Sequence, residues 1–219
     1  MKRRTSISAI ALGPASCLVA FKALAQGPSL AKSEKGGRPF RSVNVAEDSR
    51  RVVFFFDFAC PYCASYHAAL SNFARTVPKN IQALFVPVVN VADTPRKDEQ
   101  ILAAKLFYAA SAVGTQDQMT SFVGSVYASY PETRSLMNKA MWLNAVSTSG
   151  INKSKFAAAI NADSIEGRIR YAARKLVQYG VSATPSVAVG GKYILTPDDV
   201  LGDQHMFFNI INGLTSEIL

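Results

Sequence analysis

Cysteine, histidine and tryptophan are scarce in this chain: 219 residues include three cysteines, two histidines and one tryptophan. So few cysteines exclude a fold stapled by several disulfides, and a chain this long buries a core without them. No apolar run reaches the roughly 18 residues that a bilayer-spanning helix requires. The glycine-rich dinucleotide fingerprint and the phosphate loop are both missing, and no serine sits in a Gly-x-Ser-x-Gly elbow. Nucleotide chemistry and serine hydrolysis thereby lose their usual sequence support. Acids are few, 15 against 24 basic residues, for a net charge of +9. That charge favours solubility and anionic surfaces in general and gives no ground for a nucleic-acid partner. With 49 % apolar and 18 % charged residues, general disorder is excluded and a soluble globular protein is expected.

Four of the cations, Lys2, Arg3, Arg4 and Lys22, lie in the first 25 residues, which contain no acid. A mostly apolar stretch from Ile7 to Phe21 follows the basic start, and Ala23-Leu24-Ala25 places small residues before Gln26. This is the pattern of a secretory signal peptide over 1–25, with a disordered basic tail as the alternative. Removal of that segment removes Cys17 and leaves the pair Cys60 and Cys63, which suits an oxidising compartment. Residues 26–41, rich in Gly, Ser, Pro and Lys, read as a flexible leader.

Arg51 precedes Val52-Val53-Phe54-Phe55-Phe56, a strand-length run expected at the centre of a parallel sheet. Pro61 then suits the first turn of a helix whose stripe is Tyr66, Leu70, Phe73 and Val77, ended by Pro78. Ile81 to Val89 reads as a second strand. Between Asp98 and Gly180 the pattern is helical, with stretches predicted at 98–113, 116–129, 132–147 and 153–161. Phe122, Met137, Met141 and Trp142 are expected to form the core of this block. A longer helix is predicted from Ser164 to Gly180, capped by an Asp163–Glu166 box. Ser186–Val189 and Lys192–Leu195 flank Gly190-Gly191 as a hairpin, and a closing helix is predicted from Pro197 to the end. The whole is an α/β fold, 42–97 with 164–219, interrupted by an all-helical insertion at 98–163.

Cys60-Pro61-Tyr62-Cys63 opens the first helix. Both sulfurs lie within one turn, and Cys60 sits where unpaired N–H groups and the helix dipole favour a thiolate. Redox exchange follows, with Cys60 entering a mixed disulfide and Cys63 resolving it. A structural disulfide is one alternative, though so short a loop gains little from closure. A zinc site made of Cys60, Cys63, His67 and His205 is another. Asp57 is a candidate for proton transfer, or else a hydrogen-bonded residue at a strand end.

The run Phe54-Phe55-Phe56-Asp57-Phe58-Ala59-Cys60-Pro61-Tyr62-Cys63, together with Gly180-Val181-Ser182-Ala183-Thr184-Pro185 and Val187-Ala188-Val189-Gly190-Gly191-Lys192-Tyr193, resembles the DsbA-type branch of the thioredoxin superfamily. The resemblance covers Arg41 to Leu219. It implies a thioredoxin fold with an inserted helical domain, a cis Thr184-Pro185 bond beside the cysteines, and substrate binding along Thr184 and Pro185. It further implies a periplasmic thiol-disulfide oxidoreductase with no cofactor beyond the Cys60-Cys63 disulfide. Reduced or unfolded secreted proteins would be its substrates, and a membrane or periplasmic redox protein would reset it.

Three departures bear on direction. Tyr62 stands where histidine is common, Thr184 stands where the oxidase has valine, and Phe54 stands where relatives place a buried acid. The expected direction is disulfide donation, with isomerase or reductase as the alternative and a metal carrier or export-machinery component as a rival of a different class. Residues 26–41 are too short and polar to build a dimerisation region, so a monomer is expected.

Overall fold

The computed structural model describes residues 37–90 and 94–219, a set that leaves the expected signal peptide, Cys17 and most of the expected leader outside the described residues. Strand β1 (Arg41–Ser42) comes first, followed by a 3₁₀ turn at Ala46–Asp48 and strand β2 (Arg51–Phe56). Helix α1 (Pro61–Thr76) begins with Pro61, whose missing N–H falls where a helix has no partner for it, and buries Tyr66, Leu70 and Phe73. Strand β3 (Gln82–Pro87) precedes four helices: α2 (Lys97–Val113), α3 (Gln116–Thr133), α4 (Lys139–Thr148) and α5 (Lys153–Ile160). Helix α6 (Asp163–Tyr179), strands β4 (Ser186–Val189) and β5 (Tyr193–Leu195), a 3₁₀ turn at Pro197–Val200 and helix α7 (Gln204–Ser216) complete the chain.

The strands lie in the order β1-β5-β4-β2-β3. β2 runs parallel to β3, as the strand-helix-strand reading requires, but antiparallel to β4. The expectation that β2 lies at the centre of a parallel sheet is therefore corrected on one side only: α6 delivers β4 beside β2 in the opposite sense, and the hairpin adds β5 antiparallel to β4 as predicted. Gly190 and Gly191 make the hairpin turn at φ of 63° and 65°. A Cβ on Gly191 would stand 2.0 Å from the Val45 carbonyl oxygen, so the position admits only glycine.

β2 divides the core. Val52 and Phe54 pack with Leu70, Phe73, Phe207 and Ile211 of α1 and α7. Val53 and Phe55 face the other way, where Phe55 meets Tyr179 of α6. At the end of the strand Phe56 lies edge-on to Phe107 of α2, and just beyond it Phe58 lies edge-on to Trp142 of α4. The segment leading to Cys60 is thus packed into the helical block, and Phe122, Met141 and Trp142 are buried there as expected.

Several local expectations are corrected. Met137 is 55 % exposed, because 134–138 is a loop rather than the start of a helix. α3 runs through Pro131 to Thr133 and stops at Arg134, whose φ is 48°; α4 begins only after Asn138 caps it through Met141 N–H. Ala162, not Asp163, is the N-cap of α6, and no side chain caps it. Asp163 sits one residue inside, where its charge still complements the helix dipole. The closing helix is broken at Leu201 and Gly202, with φ of 55° and 79°, and restarts at the Asp203 cap. Arg41, assigned to the leader, belongs to β1; its guanidinium bonds the carbonyls of Tyr179 and Gly180 at 2.9 and 3.0 Å, tying the strand to the end of α6.

Candidate redox-active dithiol site

The β2–α1 connection presents Cys60 as the N-cap of α1, extended at φ −88° and ψ 118°. Its sulfur accepts from the Cys63 N–H at 3.5 Å, and its thiol donates to the Thr184 carbonyl at 3.1 Å. Thr184-Pro185 is cis and lies directly against Cys60. Both cysteines are present as thiols; Cys60 is partly exposed and Cys63 only 2 % exposed. Tyr62 is exposed, and Pro61 beside it faces solvent.

The two thiols are driven apart in acidity. Cys60 is lowered to about 6, chiefly by hydrogen bonding from the Cys63 thiol, helped by the Thr184 side chain and by the Cys63 and Tyr62 backbone against an opposing effect of burial. Cys63 is pushed far above the ordinary thiol range, first because its proton is committed to Cys60 and then because it is buried. Tyr62 therefore reaches Cys60 only through its backbone, where a histidine would add charge.

Asp57 is hydrogen-bonded on every side. Its carboxylate accepts from the Ala59 N–H at 2.8 Å and from both terminal nitrogens of Arg96 at 3.0 and 3.1 Å, while Gln100 Nε2 donates to it at 3.3 Å. Its backbone N–H points at Cys63 Sγ, 3.5 Å away, and its carbonyl accepts from the Cys60 N–H at 3.1 Å. The strand-end alternative thus describes the carboxylate better than a free proton shuttle does.

Sequence reasoning missed Arg96, Gln100 and Tyr127. Tyr127 of α3 is buried, its ring packed against Phe58 and His67, and burial together with the nearby Cys63 holds its hydroxyl well above the usual phenol range. Nothing in spacing links α2 or α3 to the cysteines; the one available signal was that an acid inside a run of phenylalanines requires a cationic partner. The four residues considered for zinc do not assemble. His67 Nε2 lies 2.9 Å from the Thr120 carbonyl and the ring packs on Tyr127, whereas His205 is exposed on α7, 3.1 Å from Asn209. Among the described residues no cluster of three metal-ligating side chains occurs.

A direct consequence concerns alkylation of the reduced protein. Only the thiolate reacts, so the iodoacetamide rate at Cys60 is expected to rise with pH through a midpoint near 6 and then level off. Cys63 should remain unlabelled throughout that range; peptide mapping by mass reads both outcomes.

Comparison with known proteins agrees with this geometry. Residues 46–202 match the family model described as Thioredoxin. The thiol:disulfide interchange protein DsbA of Burkholderia cepacia is 27 % identical over 197 residues, covering 90 % of this chain and 88 % of that protein. The crystal structure of Pseudomonas aeruginosa DsbA superposes with a TM-score of 0.68 at 16 % identity, covering 83 % of this chain and 92 % of that one. Proteus mirabilis DsbA, in complex with a non-covalently bound peptide PWATCDS, gives 0.66 at 19 % identity over 82 % and 97 % of the two chains. The fold is the thioredoxin fold with an inserted helical block, shared with these DsbA structures, and from residues 46–202 the chain belongs to the thioredoxin family.

Proposed function

We propose that this thiol-disulfide oxidoreductase works in the periplasm as a disulfide donor to secreted proteins. The observation that carries the direction is the unequal pair: an accessible Cys60 held near pKa 6 beside a buried Cys63 held far higher. In the oxidised protein a client thiolate attacks Cys60 Sγ, the Cys60–Cys63 bond breaks, and Cys63 leaves and takes up a proton. A second client thiolate then attacks the client sulfur of the mixed disulfide. The client disulfide forms and Cys60 departs as a thiolate, a good leaving group because its pKa is low. Two electrons now rest on the pair, and a redox partner must remove them. The two sulfurs suffice for this cycle without a bound cofactor.

An extended client segment would lie beside Thr184 and Pro185, by analogy with the peptide complex of Proteus mirabilis DsbA. Periplasmic placement is supported by the basic and apolar N-terminal sequence and by the exchange chemistry itself. A reductase or isomerase role has two residues in its favour, the solvent-facing Tyr62 and Thr184 before Pro185.

The equilibrium reduction potential against glutathione separates these readings. A stabilised thiolate favours the reduced protein, so a donor is expected well above the glutathione poise, toward about −120 mV, with Tyr62 holding it short of that extreme. A value near about −270 mV would overturn donation in favour of a reductase.

A further inference from the structure

Asp57 and Arg96 form a charge pair that the exchange cycle above leaves without a role. Arg96, the N-cap residue of α2, stands at the entrance to the helical block, and its terminal nitrogens grip the Asp57 carboxylate in a two-point fork. The Asp57 side chain is 11 % exposed and that of Arg96 41 %. On its far side Arg96 Nε lies 3.8 Å from Glu99, and Glu99 accepts from Ser135 Oγ at 2.6 Å and from the Leu136 N–H at 3.2 Å. Through its carboxylate, N–H and carbonyl, Asp57 touches Ala59, Cys63 and Cys60 respectively. A single residue therefore fixes the loop before both thiols, and one arginine from another part of the chain fixes that residue.

We propose that Arg96 is a positioning residue for thiol-disulfide exchange: by neutralising and orienting Asp57 it keeps a negative charge from acting on the Cys60 thiolate and holds the Asp57 N–H on Cys63 Sγ. The inference rests on the redox reading. A reduced site carries a thiolate and an oxidised one does not, so the electrostatics at Asp57 set the balance between them. Other groups facing the sulfurs are the backbone of Cys63 and Tyr62, Thr184, and the neutral hydroxyl of Tyr127; His67 packs behind Tyr127. Among these neighbours only the Asp57–Arg96–Glu99 chain pairs carboxylates with a guanidinium.

The test uses opposite signs. Arg96→Ala leaves Asp57 unneutralised, so the Cys60 thiolate loses stability. Its absorbance midpoint should move up in pH and the glutathione equilibrium shift toward the disulfide form by about threefold or more. Asp57→Asn keeps an acceptor for Ala59 but leaves the guanidinium unbalanced, so both quantities should move the other way. The double variant Arg96→Ala/Asp57→Asn should return toward the parent, and Arg96→Lys should fall between parent and Arg96→Ala. If the clamp is merely a structural support, both single variants shift in the same direction and the double is worse than either; that result overturns the proposal. Circular dichroism and thermal melts on each variant report folding separately. Failure of the parent protein itself to equilibrate with glutathione would instead overturn the redox reading.

Discussion

A Cys63→Ala variant is expected to accumulate mixed disulfides through Cys60. Its Cys60 thiolate attacks a disulfide in glutathione or a model peptide, one new S–S bond forms, and one thiolate leaves. No second thiol within the site remains to release the adduct. Intact mass should show a one-to-one species that dithiothreitol reverses. Cys60→Ser should form none and should lose exchange activity on the order of a thousandfold or more, since the alcohol is hardly ionised and a poor nucleophile. The asymmetry has a structural cause: Cys63 is 2 % exposed while Cys60 reaches the surface beside Thr184. Equal trapping by both single-cysteine variants would contradict the assigned order of attack.

Replacing Lys175 is expected to cause a large loss of stability with no redox consequence. Lys175 Nζ lies 2.7 Å from Asp48 and 3.0 Å from Glu47, and its side chain is 3 % exposed against 0 % for Asp48. Arg51 and the Tyr179 hydroxyl complete the shell of Asp48 at 2.8 and 2.7 Å. In Lys175→Ala that carboxylate stays buried with part of its compensation gone, which costs about 3–5 kcal/mol, or roughly 6–20 °C in melting temperature for a chain of this size. Removing both charges, as Lys175→Met with Asp48→Asn, should recover part of the loss, because the desolvation of two ions is then relieved. Asp48 precedes β2 and Cys60 follows it, with the strand spanning roughly 20 Å between them, so the reduction potential should hold. A melting curve unmoved by Lys175→Ala would mean that the buried cluster is not supporting the fold.

The dithiol was legible because its chemistry is local: Cys60, Pro61 and Cys63 carry the N-cap, the first-turn proline and the paired sulfurs within a few residues. β2, α1 and the Gly190-Gly191 hairpin were legible for a similar reason, since apolar period and positive-φ glycines are written along the chain. The antiparallel pairing of β2 with β4 was not, because the match between Val52–Phe55 and Ser186–Val189 depends on how α6 returns the chain. Helix ends also escaped where backbone outweighed side chain: Ala162 caps α6 although Asp163 is the better capping residue by type. Arg96 and Gln100 stayed hidden because Asp57 lies 39 and 43 positions before them, and a carboxylate does not announce in sequence which distant donor will meet it; Tyr127 reaches the site only through the packing of α3.

The chain's one tryptophan is Trp142, and its place has an optical consequence. The indole rests edge-on against Phe58, two positions before Cys60, and its N–H is anchored to the Leu136 carbonyl at 2.7 Å. Leu136 N–H in turn leads through Glu99 and Arg96 to Asp57. The single indole is therefore wired by one apolar and one polar path to the loop that carries the thiols. Emission from the unlabelled protein should thus be a native gauge of that joint, reading how tightly helices and dithiol are engaged at each oxidation state.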